Sequence, residues 1–204
     1  MVNSNNRFIN RVGHLCRRAF NKLIYHKVTV LFFKRDKSSL KNGAANDISI
    51  DIERVSLEKY QAQAVQYEWL LNKVEEAKTR FDDGHDVYFF FDKSPALIHV
   101  AWVRTLPFVE AEFELKKGAR INLAASEPTI YDVWTPDEQR GKGHYKKALS
   151  KLTDELLLQH ANVWIYCLET NTASSRGILQ TGFELQRSMT VKYYLGRQSK
   201  LELH

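Results

Sequence analysis

Cysteine is scarce: Cys16 and Cys167 are the only two in a chain of 204 residues. They lie far apart and neither has a second Cys at metal-ligand spacing. No disulfide framework and no cysteine metal site is therefore expected. Cys167 sits in the apolar run Val163-Trp-Ile-Tyr-Cys-Leu168 and reads as a small core hydrophobe. Long apolar runs are missing too. None approaches the roughly 18 residues of a membrane span. The longest candidate, Val28 to Phe33, is short and no small-residue cleavage site follows it, so no secretory signal is expected. The expected compartment is the cytoplasm. Histidine and cysteine nowhere take zinc spacing, no Gly-Lys-Ser/Thr phosphate loop occurs, and no nucleophile elbow supports a Ser-His-Asp triad. No metal is expected. Internal repeats and low-complexity segments are absent as well.

What is present is ordinary for a soluble globular protein. Hydrophobic residues make up 44% and charged residues 26%, in a chain long enough for one domain with a core and an appendage. The net charge of +6 suits a polyanionic ligand, nucleic acid or an anionic membrane surface, and does not choose among them. In residues 5–27, Phe8, Ile9, Val12, Leu15, Cys16, Ala19, Phe20, Leu23 and Ile24 follow helical spacing. The opposite face carries Arg7, Arg11, Arg17, Arg18, Lys22 and Lys27. Such a basic amphipathic helix packs on its own domain, on a second copy of the chain in a homodimer, or peripherally on a membrane through residues 1–27. The pattern leaves these open. Interleaved exposed aromatics are lacking, so no nucleic-acid partner is expected.

The polar stretch 36–46 reads as a linker. It divides the chain into an N-terminal extension, 1–46, holding the amphipathic helix and a strand at Val28–Lys34, and a main domain, 47–204. In that domain Ile48–Val55 alternates as a strand does, and Ser56 can cap the helical pattern that begins at Leu57. Val87–Phe91 and Ala96–Arg104 read as a hairpin across Asp92-Lys-Ser-Pro95. Phe108–Leu115 alternates, and Ile121–Ala125 pairs back. Strand–helix alternation in the second half predicts an α/β sheet with some parallel pairing.

The most informative stretch is Thr129 to Tyr145. Ile130, Tyr131, Val133 and Trp134 suit a buried strand, and Pro136 ends it because it cannot donate to a ladder. Gly141 and Gly143 permit a tight turn with exposed N–H groups. Tyr145, Leu149, Leu152 and Leu156 then mark one helical face. A strand feeding a glycine loop that opens a helix is an anion cradle, because the helix dipole and the free first-turn N–H groups both favour a phosphate.

Val133-x-x-Pro136 followed by Arg140-Gly-Lys-Gly143 resembles the acyl-CoA pyrophosphate loop of the GNAT superfamily of N-acetyltransferases, Arg/Gln-x-x-Gly-x-Gly/Ala. Asn171-Thr-Ala-Ser174 with Gly182-Phe183 resembles the later block of that superfamily, and the spacing between the two blocks agrees. The resemblance covers about Ile48 to Leu195. It implies an α/β (α+β) fold, with a central mixed, mostly antiparallel twisted sheet flanked by helices, here carrying an N-terminal helical extension. It implies transfer of an acetyl group from acetyl-CoA to the amine of a small molecule or protein, by direct attack. The cofactor-binding residues implied are Val133, Thr135, Gln139, Arg140, Gly141, Lys142, Gly143, His144, Tyr145, Asn171 and Ser174. The strand carrying Val133 would splay from the next one at the thioester. This sequence departs from the pattern in four places. One extra residue stands between Pro136 and Arg140, and His144 stands where an apolar residue is common. Tyr145 stands where a second Gly or Ala is usual, and Ile178 stands where a tyrosine often serves as general acid. Ser174, Tyr194 or water would then protonate the thiolate. Asp132, on the CoA strand, is our nominal general base, with Glu110, Glu112, Glu114, Glu169 and His99 as alternatives.

Overall fold

The computed structural model describes residues 25–40, 50–93, 96–111, 120–194 and 197–203. Among the described residues, eight strands form one sheet. They are β1 (Tyr25–Asp36), β2 (Asp51–Val55), β3 (Asp86–Phe91), β4 (Leu97–Glu110), β5 (Arg120–Trp134), β6 (Asn162–Leu168), β7 (Glu184–Tyr194) and β8 (Arg197–Leu203). The helices are α1 (Leu57–Ala64), α2 (Glu68–Leu71), α3 (Val74–Asp82), α4 (His144–Gln159) and α5 (Thr172–Gln180). The strand order is β2-β3-β4-β5-β6-β1-β7-β8. Neighbours run antiparallel except β5 and β6, which are parallel and joined through α4. The sheet is thus mixed and mostly antiparallel, as expected.

Each face of the sheet carries its own core. On one face, Tyr60, Ala64, Leu70 and Ala77 of α1–α3 pack against Val87, Phe89, Val100, Trp102 and Tyr131. On the other, Ala148, Leu149, Leu152 and Ile178 of α4 and α5 pack against Phe90, Ile98, Ala101, Val103, Ile130 and Ile165. The helical stripe predicted from Leu149, Leu152 and Leu156 is the buried face of α4. Ser56 caps α1 by accepting from the Lys59 amide at 3.3 Å. The helical pattern that begins at Leu57, read as one long helix or two short ones, is three short helices, α1 to α3.

The structure corrects two expectations. Residues 1–24 of the expected basic helix lie outside the described residues, but Tyr25, His26 and Lys27 are strand, paired with Tyr194, Tyr193 and Lys192. β1, expected in an extension ahead of the domain, lies inside the sheet between β6 and β7. Its residues demand it: Val30 and Phe32 are 0% exposed toward one core and Phe33 is 1% exposed toward the other. A strand apolar on both faces belongs where both faces of the sheet are covered. Second, the four strand segments expected between 96 and 134 are two long strands. Their ladder shifts register near Pro107, between Leu106 and Phe108. A bulge there accommodates a residue without an N–H.

Candidate functional site

β5 and β6 stay paired for only two positions, Thr129 opposite Trp164 and Ile130 opposite Ile165. Beyond them β6 continues alongside β1 as far as Leu168 opposite Val30, while β5 continues alongside β4 as far as Trp134 opposite Val100. The two parallel strands therefore part like a V, as the resemblance implied. A cleft of about 550 Å³ runs from β5 to α5, lined by Val133, Thr135, Gly143, Tyr145, Asn171 and Ser174 among others.

The loop over this opening is fixed by local rules. Pro136 leads into a 3-10 turn at Asp137–Gln139. Gly141 and Gly143 have φ of +77° and +79°, the left-handed region where a Cβ is strained. Gly143 is the N-cap of α4 and no side chain among the described residues caps it. The first-turn N–H groups of α4 therefore have no intrahelical acceptor and form an anion site at the positive end of the dipole. Arg140 braces the loop: its Nε donates to the Thr135 carbonyl at 3.1 Å and its Nη2 meets Asp137 at 2.8 Å. Lys142 Nζ donates to Gln139 Oε1 at 3.0 Å. Burial first, and then Lys142 and Lys147, hold the His144 imidazole below its ordinary pKa. Its buried Nδ1 has no partner among the described residues.

The other wall is the start of α5. Asn171 Oδ1 accepts from the Ser174 amide at 3.1 Å, a cap that explains the Asn-x-x-Ser spacing locally. Ser174 Oγ and Tyr145 Oη share a hydrogen bond of 3.0 Å across the two helices. Burial pushes the Tyr145 phenol well above its ordinary pKa, and the Ser174 bond partly opposes this, so the hydroxyl keeps its proton at neutral pH. Behind Tyr145 lies His99, 1% exposed, with Nδ1 2.8 Å from Thr135 Oγ1.

Val133, Thr135, Gln139, Arg140, Gly141, Gly143, His144, Tyr145, Asn171 and Ser174 all border the cleft. Lys142 is absent from the lining. Asp132 is not there either. Its Oδ2 accepts from Lys73 Nζ at 2.7 Å and Arg80 Nη1 at 2.8 Å, on the α1–α3 side of the sheet. The side chain expected to serve as base is thus held through Oδ2 by two cations and does not line this cleft. Glu110 pairs with Arg120 at 3.7 Å, near the opposite end of β4 from the cleft, and Glu112 and Glu114 lie outside the described residues. Sequence reasoning missed Trp134, Ala173, Arg176, Gly177 and Gln180. The signal for the last four was available: they recur at helical spacing on α5 around Ser174.

The electrostatics of His99 carry an expected outcome. Burial, aided by the nearby His144, pulls its pKa down to about 3. An unfolded chain binds that proton near pH 6.5, and the native state does not. Stability is thus intact above about 6.5 and falls on acidification by up to about 1.4 kcal/mol per pH unit, down to the native value. Urea unfolding at pH 7 and pH 5 should show this loss, and His99→Asn should remove that share of it. An identical pH slope in the variant would count against it.

Among solved structures, a GNAT-family acetyltransferase from Colwellia psychrerythraea superposes with a TM-score of 0.55 at 16% identity, over 83% of this chain and 56% of that one. A GCN5-related N-acetyltransferase from Sphaerobacter thermophilus gives 0.51 at 12% identity, over 88% of this chain and 56% of that one. The GCN5-related glucosamine N-acetyltransferase region of a fungal multi-domain GH3 β-N-acetylglucosaminidase gives 0.55 at 14%, over 89% of this chain and 23% of that one. The chain thus spans little more than half of the Colwellia and Sphaerobacter structures, 56% of each. No family model matches the sequence, and no curated protein does. The fold is that of the GNAT acetyltransferases.

Proposed function

We propose that this GNAT-fold chain transfers an acetyl group from acetyl-CoA to a primary amine by direct attack, without a covalent enzyme intermediate. The observation that carries the reading is the parting of β5 from β6 beside the uncapped N-terminus of α4. The N–H groups of the Gly141–Tyr145 turn receive the pyrophosphate, and Lys146 and Arg176 at the cleft add positive potential. The free edge of β5 at Asp132–Trp134 receives the pantetheine arm as a strand receives a neighbour. Bound acetyl-CoA supplies an activated carbonyl and a thiolate leaving group. Tyr145 and Ser174 offer the protonated hydroxyl pair on the cleft wall. The acceptor is a small-molecule or protein amine, and no metal takes part.

One observation favours a second reading, a non-catalytic acyl-CoA-binding module: no carboxylate lines the cleft among the described residues. The deciding experiment incubates the protein with acetyl-CoA over a panel of amines and follows free CoA with a thiol reagent, alongside calorimetry. Amine-dependent CoA release is expected. Binding without release on any amine would establish the module instead, and no binding would remove both readings.

A further inference from the structure

We propose that the Lys73–Asp132–Arg80 ion triad is a positioning device, holding a strained bulge in β5 that decides to which side of the sheet each group of the strand turns at the cleft. The inference rests on the acetyltransferase reading for its catalytic consequence, but not for its structural one.

Asp132 has φ of +41° and is the one non-glycine residue with positive φ among those described. Aspartate and asparagine tolerate this region better than other side chains, yet it remains strained. The ladder shows what the strain achieves. Trp134 pairs with Val100 and Tyr131 with Trp102, so Asp132 and Val133 together oppose the single residue Ala101. That is a β-bulge. Neither residue has a ladder partner on β6, where pairing ends at Ile130. The strand's backbone is therefore out of both ladders where the V opens.

The bulge also moves the side chains. Tyr131 packs in the core beneath α1–α3, and Asp132 points to the same side, reaching Lys73 and Arg80. Val133 then returns to the α4–α5 side, and Trp134 faces the α1–α3 side again. Two consecutive residues share one face. In an unbroken strand, strict alternation would carry Asp132 and Trp134 to the α4–α5 side and Val133 to the α1–α3 side. The Trp134 ring is instead stacked on Trp69, with centroids 4.6 Å apart and planes 2° from parallel.

The cations are themselves fixed. Lys73 lies 4.6 Å over the Trp69 ring, and Arg80 lies 4.8 Å over Trp102 and 5.2 Å over Tyr131. Glu76 pairs with Arg80 and lies 3.9 Å from Lys73. The Arg80 side chain is 6% exposed. Two immobilised cations on one carboxylate oxygen hold Asp132 where its backbone alone would not stay.

Substitutions at Asp132 separate positioning from proton abstraction. Asp132→Asn keeps the shape and the left-handed tolerance but abolishes the carboxylate. Asp132→Gly removes the strain outright, and Asp132→Ala removes the anchor while keeping the strain. We expect Asn and Gly to lose about threefold in kcat and Ala about thirtyfold or more, with the pH–rate profile of Asn unchanged in shape. Lys73→Met, at a partly exposed position, should fall between Asn and Ala and covers the case in which Ala does not fold. Acetyl-CoA affinity by calorimetry and the Trp134 indole resonance by NMR should follow the same order. Asn as inactive as Ala, with a flattened pH profile, would restore the base role and overturn the proposal. So would an Ala variant with wild-type affinity and an unmoved Trp134 resonance. If the wild-type chain binds no acetyl-CoA, the acetyltransferase reading fails, while the Trp134 resonance still decides the bulge.

Discussion

A Gly143→Asp variant is expected to fold normally and to bind acetyl-CoA at least about 100-fold more weakly, an estimate set by charge repulsion at short range. Sterics are not the cause, since a Cβ at Gly143 would meet nothing within 4 Å. The φ of +79° adds strain, but aspartate is among the residues that tolerate it, and an aspartate beside the first turn favours the helix dipole. The fold is thus supported while the ligand is repelled. The new carboxylate would face the pyrophosphate at the uncapped start of α4. At an effective dielectric near 20, two like charges about 4 Å apart cost on the order of 4 kcal/mol, more than the 100-fold requires. Gly143→Asn is the control: it has the same shape without the charge and should cost far less. Calorimetry at fixed ionic strength reads both. Unchanged affinity in the Asp variant would remove the loop from the binding site.

That loop was legible in the sequence because every feature that builds it is local. Pro136 fixes its own φ, Gly141 and Gly143 permit the left-handed turn without strain, and Asn171 caps α5 through a residue three positions away. The place of β1 was not legible, because its pairing of Val30 with Leu168 and Met189 spans most of the chain. The polar stretch after it reads as a linker whether the strand before it is inside the sheet or beyond it. The role of Asp132 was hidden for a different reason. A bulge shifts side-chain alternation by one residue, and nothing in Tyr-Asp-Val-Trp marks it. Read as an unbroken strand, the segment leaves Asp132 a free carboxylate near the thioester. Folded, it is bound from the other side of the sheet by residues more than fifty positions earlier.

Gly177 carries the second large effect. It lies inside α5, where glycine ordinarily costs about 1 kcal/mol relative to alanine, so Gly177→Ala would stabilise an isolated helix. In the folded chain a Cβ there would lie 2.6 Å from Tyr145 Cε1 and 2.7 Å from Cδ1. The ring cannot yield freely, since its hydroxyl is tied to Ser174 and its edge meets His99 at 5.8 Å. The clash therefore outweighs the propensity. Gly177→Val should destabilise by about 3 kcal/mol and Gly177→Ala by about 1–2 kcal/mol, the range for overpacking. Both should drive the phenol into the cleft and weaken acetyl-CoA. Adding Tyr145→Ala to Gly177→Ala should reverse the sign of the Gly177 effect, with a coupling of about 1–3 kcal/mol by denaturant midpoint. Simple additivity in that cycle would refute the account. The large residue at 145 and the missing side chain at 177 are then one feature: α4 carries the bulk that α5 makes room for. The departure of Tyr145 from the small residue usual in the loop pattern is matched, one helix away, by a glycine that the pattern does not ask for.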